Sequence, residues 1–316
     1  MFRHPVKYSN IMVVLLLLFS FTNSCRNQQE TPVDKSADLD DKAALHKKFH
    51  IGLIPEQDLF SQKERYGALA SYISEKTGFD VKLKVLSRYG NIIENFVSED
   101  LEGAFFGSFT GALAIKKLGV IPLARPVWLD GTSTYYGMIF VRKDSGIKNA
   151  NDMRGKRFAF VDKATTAGWL LPLQFFHLNG IEDFNNWFAE TYFAGTHEDA
   201  IYDVLNKKAD IGAAKNTVFY RLAEKDSRIK DELQVLATSP KVPSNTLSVS
   251  NKLDKSIIKQ LKNTLLQMEQ DKQGQEILKK FKAIKFIETT VDDYNPVFEY
   301  SNTVSLDLRK YNYINE

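Results

Sequence analysis

The sequence contains Ile93-Glu-Asn-Phe-Val-Ser-Glu-Asp-Leu-Glu-Gly-Ala104 and repeats this pattern 108 residues later in Ile201-Tyr-Asp-Val-Leu-Asn-Lys-Lys-Ala-Asp-Ile-Gly212. Each stretch has apolar residues at helical spacing, a short turn with an acidic residue, and the small residues of a buried strand. One such unit in each half of the chain indicates two similar lobes, with a chance match of short segments as the alternative. Two α/β lobes that meet at a hinge would place strand ends and helix N-termini at a cleft, where ligands bind.

The segments around this repeat alternate between strand patterns and helix patterns. The predicted strands are Phe49–Ile54, Val81–Val85, Ala104–Phe106, Met138–Val141 and Arg157–Val161. The predicted helices are Tyr66–Lys76, Asn91–Ser98, Trp169–Leu178, Glu198–Leu205 and a pair within Ser256–Phe281. This alternation predicts an α/β fold in which each lobe is a mostly parallel sheet flanked by helices.

Composition excludes several classes of protein. The chain has 316 residues, of which 43% are apolar and 26% charged, as in a folded protein of about two domains. A net charge of +3 gives no reason to expect the clustered basic surface of a nucleic-acid binder. A single cysteine excludes an internal disulfide and a cysteine-based metal cluster. The sequence also lacks HExxH, P-loop, GxSxG and GxGxxG motifs, so we expect no enzyme activity, resident metal or cofactor.

The N-terminus carries an eleven-residue apolar run, Ile11–Phe21, after a basic start. A helix that spans a bilayer needs about 20 apolar residues, so this run is typical of a secretory signal instead. We predict a signal peptide over residues 1–24, cleavage before Cys25 and a lipid on its sulfur. An ordinary cleaved signal with an incidental cysteine is the alternative. The polar residues 25–47 are predicted to form a flexible tether that holds the protein at a membrane surface.

Two helix starts in the second half of the chain are candidates for binding an anion. Lys163-Ala-Thr-Thr-Ala-Gly168 follows a predicted strand, and Thr165 and Thr166 offer hydroxyls beside the unpaired amides of a helix start. Gly195-Thr-His-Glu-Asp199 opens the next helix, where Thr196 would cap and His197 would donate into the cleft. Plain helix caps and a structural histidine are the alternatives.

Tyrosines near the other element starts are further candidates. Tyr89 precedes the first repeated helix and Tyr135 precedes the strand at Met138, so both phenols could face a ligand. Packing in the core or at the hinge is the alternative for each.

The order and spacing of several landmarks carry a family resemblance. They are Arg65–Tyr72, Tyr89, Gly107, Tyr135, Met138–Gly146, Asp152–Lys156, Thr165–Gly168, Gly195–Glu198 and Ser239–Pro243. Over about Ile51 to Tyr300 the sequence resembles the phosphate/phosphite/phosphonate-binding proteins of ABC importers, which have the type II periplasmic-binding-protein fold. The resemblance implies a monomer with lobe 1 at 48–134 and 245–316, lobe 2 at 135–244, and two crossover strands between them.

The resemblance also implies which residues bind the ligand. Thr165, Thr166 and neighbouring amides would hold the phosphonyl oxygens, and His197, Tyr89 and Tyr135 would close around them. Thr165–Gly168 stands where the family has a Ser-Thr-Ser-Gly cradle.

Three departures from the family pattern bear on the ligand. Ala167 replaces the second serine of the cradle and keeps only its amide. The acidic residues that hold the amine in aminophosphonate-binding relatives match Lys215 and Asn245 here. A cation and a neutral amide cannot hold an ammonium group, and Lys215 would attract negative charge instead. We therefore expect phosphate, phosphite or an alkylphosphonate.

The function implied is that of a periplasmic, lipid-anchored solute-binding protein whose partner is an ABC permease and whose cleft closes by hinge motion. A sensing lipoprotein of the same fold that signals to a membrane receptor kinase, and a binder of another anion such as a sulfonate, are alternatives. An extracytoplasmic phosphoryl hydrolase is a third, against which stands the lack of a nucleophile–base pair.

Overall fold

The structure, a computed structural model, describes residues 48–55, 59–86 and 91–314. The predicted signal peptide, the tether with Cys25, and Tyr89 lie outside these ranges. The strands are β1 (Lys48–Leu53), β2 (Asp80–Val85), β3 (Gly103–Phe106), β4 (Ile121–Trp128), β5 (Thr134–Tyr135), β6 (Gly137–Arg142), β7 (Arg157–Phe160), β8 (Glu190–Phe193), β9 (Ile211–Lys215), β10 (Leu233–Thr238), β11 (Val242–Pro243), β12 (Thr246–Val249) and β13 (Ala283–Glu288).

The helices lie between these strands. They are α1 (Leu59–Thr77), α2 (Asn91–Ser98), α3 (Ser108–Leu118), α4 (Leu171–Leu178), α5 (Phe184–Trp187), α6 (His197–Leu205), α7 (Asn216–Ala223), α8 (Ser227–Glu232), α9 (Lys255–Leu266), α10 (Lys272–Phe281) and α11 (Asn295–Thr303). Within the described ranges, none of these helices combines the length and the apolar content needed to cross a bilayer.

Two sheets form the cores of two lobes, which confirms the predicted two-lobed α/β architecture. The first has the strand order β13-β4-β12-β3-β1-β2 and the second has the order β10-β6-β9-β7-β8. The prediction that each sheet is mostly parallel is wrong, because both are mixed. In the first sheet β1 is parallel to β2 and β3, whereas β12 and β13 run antiparallel to their neighbours. Strands joined by a helical crossover run parallel to each other. β6 and β12 enter their sheets from the other lobe, and each runs antiparallel to its neighbours.

The repeated sequence unit builds the same hydrogen-bonding arrangement in both lobes. In lobe 1, Glu102 Oε2 accepts from the amide of His50 at 2.6 Å, and the Glu102 amide donates to the His50 carbonyl at 3.1 Å. In lobe 2, Asp210 Oδ2 accepts from the amide of Arg157 at 2.9 Å, and the Asp210 amide donates to the Arg157 carbonyl at 3.1 Å. The acidic residue of each unit therefore joins the helix–turn–strand unit to the neighbouring parallel strand, β1 in lobe 1 and β7 in lobe 2.

A pair of short antiparallel strands connects the lobes. In β5 and β11, Tyr135 lies opposite Val242 and Thr134 lies opposite Pro243. We propose this pair as the lobe boundary, with 48–134 and 245–316 in lobe 1 and 135–244 in lobe 2.

One apolar cluster runs across that boundary. It contains Phe106 at the end of β3, Phe109 in the first turn of α3, and Phe158 and Phe160 of β7, all no more than 1% exposed. Burial of each such side chain contributes about 1.5–3 kcal/mol. The lobes therefore contact each other through hydrocarbon directly beside the residues described next.

Candidate functional site

A tight turn follows β7 and leads into the first predicted helix start. Asp162 Oδ1 accepts from the amide of Ala164 at 2.8 Å, and the Asp162 carbonyl accepts from the amide of Thr165 at 3.0 Å. The Thr165 hydroxyl donates to the same carbonyl at 2.7 Å. The hydroxyl hydrogen of Thr165, predicted to reach the anion, is therefore used to hold the turn.

Thr166 begins a π-helical turn, Thr166–Leu170, that leads into α4. The amides at the start of such a turn have no acceptor within the helix, so they can donate to a ligand. Gly168 is needed for packing, because a Cβ at this position would lie 2.3 Å from Cβ of Val161. The missing side chain lets the turn rest on the end of β7. The Thr166 side chain is buried and 2% exposed.

The second helix start leaves the sheet beside the first. β8 is parallel to β7, and the pairing continues past the end of β8. The Ala194 amide donates to the Phe160 carbonyl at 2.8 Å, and the Gly195 amide donates to the Val161 carbonyl at 3.0 Å. Carboxyl ends of neighbouring parallel strands meet at one edge of the sheet. The sheet thus brings the N-terminus of α6 next to the turn that carries Thr166.

Thr196 and His197 occupy the start of α6 in different ways. The Thr196 hydroxyl accepts from the amide of Asp199 at 3.0 Å and donates to Asp199 Oδ2 at 2.7 Å, so it caps the helix. His197 follows it and is 5% exposed. Of the two side chains, His197 is buried and not used as the helix cap, so it is the better candidate for binding a ligand.

Lobe 1 contributes a hydroxyl that the sequence analysis missed. Ser108 is the first residue of α3, directly after β3, and it is 1% exposed. Its Oγ lies 2.5 Å from Thr166 Oγ1 and 2.5 Å from Tyr135 Oη. Residues of both lobes and the crossover thus meet in one hydroxyl cluster, Ser108, Tyr135 and Thr166. The available signal was a hydroxyl residue at a helix start directly after a buried strand, the same kind of signal that pointed to Thr165–Gly168.

Asn245 lies near Gly107, the residue before Ser108. A Cβ built on Gly107, the N-cap residue of α3, would lie 3.8 Å from Asn245 Oδ1. The side chain of Asn245 is 5% exposed. Asn245, predicted to face the ligand, is therefore buried near the start of α3 in lobe 1.

A buried cation sets the charge of the site. Lys215 is the N-cap residue of α7 and is 7% exposed, and its Nζ lies 4.1 Å from the centre of the Tyr135 ring. Burial, and to a smaller extent the positive charge of Lys215, lower the pKa of His197 to about 3. At neutral pH the imidazole is therefore uncharged and can donate one hydrogen bond, while Lys215 supplies the positive charge.

The donors at this site suit an oxygen-rich anion. Hydroxyls, helix-start amides, an imidazole and an ammonium group all donate hydrogen bonds or attract negative charge. The described part of the chain contains no group of three or more His, Cys, Asp or Glu side chains arranged to hold a metal ion.

Comparisons with known proteins identify a family. The sequence model of the family described as "ABC transporter, phosphonate, periplasmic substrate-binding protein" matches residues 51–294. The phosphonates-binding periplasmic protein of Escherichia coli (strain K12) is 26% identical over 206 residues, which cover 64% of this chain and 60% of that protein. The match thus spans less than two thirds of this relative's length.

A second relative and a solved structure agree with this result. A probable phosphite-binding protein of an ABC transporter from Prochlorococcus marinus (strain MIT 9301) is 23% identical over 265 residues, covering 80% of this chain and 88% of the relative. A structure of the Prochlorococcus marinus protein in complex with methylphosphonate superimposes with a TM-score of 0.70 at 21% identity, covering 82% of this chain and 98% of the other. At this identity the superposition establishes the two-lobed type II periplasmic-binding-protein fold.

Proposed function

This chain belongs to the family of periplasmic substrate-binding proteins of phosphonate ABC transporters, a non-enzymatic family, and from that premise we propose that it binds a small phosphorus oxyanion between its lobes. The candidate ligands are phosphate, phosphite and alkylphosphonates. The methylphosphonate bound to the Prochlorococcus marinus protein belongs to this class.

The observation that carries the proposal is the hydroxyl cluster that joins the lobes. Ser108 and Thr166 belong to helix starts of different lobes, yet their oxygens lie 2.5 Å apart. An anion placed there accepts hydrogen bonds from both lobes at once, together with the amides after Thr166. Such shared contacts favour the arrangement in which the lobes are together, and we propose that the lobes turn about β5 and β11.

The charges favour a ligand without an amine. Lys215 is buried beside Tyr135, and Asn245 is a buried neutral residue whose Oδ1 lies near Gly107, the N-cap residue of α3. An ammonium group near Lys215 would be repelled and would lack a carboxylate partner at these two positions. We propose that Thr166, the Ala167 amide and His197 hold the oxygens, that Tyr135 and Lys215 close the site, and that Thr165 and Thr196 fix the two turns.

The cellular role follows from the family. We propose that the protein delivers its anion to an ABC permease and that a lipid on Cys25 holds it at the membrane on the extracytoplasmic side. Labelling of the whole chain with a radioactive fatty acid, compared with Cys25→Ser, tests the anchor. Equal labelling of the two proteins excludes a lipid on this cysteine.

Isothermal titration tests the ligand. We expect phosphate, phosphite or methylphosphonate to bind more tightly than 2-aminoethylphosphonate. Thr166→Val removes one hydrogen bond to a charged oxygen and should weaken binding by about tenfold or more. Thr303→Val is the matched control, because among the described residues the Thr303 hydroxyl bonds only to the Glu299 carbonyl within α11. Tightest binding of the amine-bearing ligand, or equal affinity of the Thr166 variant and the wild type, contradicts the proposal.

A further inference from the structure

A second cavity, which we call the side cavity, lies between the lobes next to Lys215. Its volume is about 460 Å³, and its walls come from α1, from the end of β4 and from α7. This volume falls in the range of cavities that hold small molecules, roughly 300–1,000 Å³. Lys215 contacts the Tyr135 ring of the hydroxyl cluster and also lines the side cavity, so the two spaces meet at this residue.

The interior of the side cavity is positively charged. Four cationic side chains line it, Arg65, Lys215, Arg221 and Lys282, against two carboxylates, Asp130 and Glu224. Both carboxylates and Lys282 are exposed, whereas Lys215 is buried and the two arginines are half-buried. Solvent screens exposed charges more strongly than buried ones, so the cations dominate the field inside.

Arg221 offers a hydrogen-bond donor with no acceptor in the described part of the chain. Its Nη2 is buried and makes no hydrogen bond to any residue that the structure describes. A buried donor without an acceptor costs free energy, and more so on a charged group. An anionic group that enters the cavity can accept from Nη2 and remove this cost.

The remaining wall suits a short carbon chain. The Tyr66 and Val218 side chains are buried, at 5% and 6% exposure. The Trp128 ring stacks on Phe281 with 5.8 Å between ring centres, and its indole N–H donates to Ser244 Oγ at 3.1 Å. These contacts hold the indole in place as a flat apolar surface.

We propose that the side cavity is a subsite for a second anionic group on the ligand. The inference rests on the proposed function and deepens it: the phosphonyl group binds at the hydroxyl cluster, a carbon chain passes Lys215 along Trp128, and a terminal carboxylate accepts from Arg221. The substrate class is then phosphonates with a carboxylate at the other end, in addition to the compact anions.

Titration with three ligands of one chain length tests this assignment. All three ligands carry the phosphonate. At the other end 3-phosphonopropionate has a carboxylate, 3-phosphonopropionamide has an uncharged amide, and 3-aminopropylphosphonate has an ammonium group. We expect the carboxylate to bind about tenfold more tightly than the amide, because a charge-assisted hydrogen bond is stronger than a neutral one. The amine should bind most weakly. In Arg221→Met the ratio between carboxylate and amide should fall to about 1.

Arg309→Met is the control for loss of one positive charge, since Arg309 is exposed on another face and lines a different cavity. It should keep the tenfold ratio. Equal affinity for carboxylate and amide in the wild type, or a ratio unchanged by Arg221→Met, overturns the side-cavity assignment while methylphosphonate still binds. Failure of methylphosphonate, phosphate and phosphite to bind overturns the proposed function itself, so the two failures are distinct.

Discussion

The buried imidazole of His197 predicts a specific loss of stability in mild acid. Burial, with a smaller effect of Lys215, lowers the pKa of His197 from an ordinary value of 6.5 to about 3. In the unfolded chain the same pKa returns to about 6.5. Between pH 6.5 and about 3 the unfolded chain therefore binds a proton that the folded protein does not, and stability falls as the pH falls.

The magnitude follows from the size of this shift. Each pH unit below 6.5 costs about 1.4 kcal/mol from this one group until the folded pKa is reached. At pH 5 the loss amounts to about 2 kcal/mol relative to pH 7. A variant without the imidazole, His197→Gln, lacks this part of the pH dependence, whereas all other groups of the protein titrate as before.

Urea unfolding at pH 7 and pH 5 measures the effect as a difference of differences. The free energy of unfolding of the ligand-free wild type should drop between the two pH values by about 2 kcal/mol more than that of His197→Gln. His177→Gln is the control, because His177 is exposed at the end of α4 and should leave the wild-type drop intact. His197→Asn repeats the test with a smaller side chain. Equal drops in the wild type and in both His197 variants would refute the view that the site holds a neutral, buried imidazole.

Other predictions follow from the same contacts. Gly168→Ala should lower the free energy of unfolding by several kcal/mol, because the new Cβ would lie 2.3 Å from the Cβ of Val161. Gly67→Ala on α1 should stabilise the protein by about 0.5–1 kcal/mol, because its Cβ would meet nothing within 4 Å. Thermal melts of the two variants and the wild type measure both effects. Lys215→Met should weaken phosphate binding in titration, because it removes the positive charge beside Tyr135. Ser108→Ala should weaken methylphosphonate binding by about tenfold, and unchanged affinity would exclude lobe 1 hydroxyls from the site.

Local sequence patterns predicted most elements because their apolar spacing is regular. The helix Asn91–Ser98 has the predicted bounds, and its Ile92, Ile93 and Phe96 are buried. The direction of the strands could not be predicted in this way, because β-propensity is the same for parallel and antiparallel neighbours. The mixed sheets arise from where the chain crosses between lobes, which is a property of the whole topology.

The candidate site was predictable on one side only. Thr166 and His197 stand at helix starts of one sheet edge, and a sequence shows such starts through glycine and hydroxyl residues. Ser108 is 58 residues before Thr166, and only the packing of the two lobes brings the oxygens together. The Thr165 hydroxyl donates to the Asp162 carbonyl because of the conformation of the turn after β7. Arg221 is a candidate ligand-binding residue because α1, β4 and α7 together enclose the side cavity. Neither feature has a local pattern.

The repeated unit also bears on the orientation of the ligand proposed above. Counting 108 residues on from Gly107, the N-cap residue of α3, gives Lys215, the N-cap residue of α7. A protein made of two identical halves would offer the same groups to both ends of a bound molecule, which could then enter either way round. Here one half has a glycine at that position and the other a lysine. The two ends of the proposed ligand would therefore meet different groups, and we expect one orientation to be favoured.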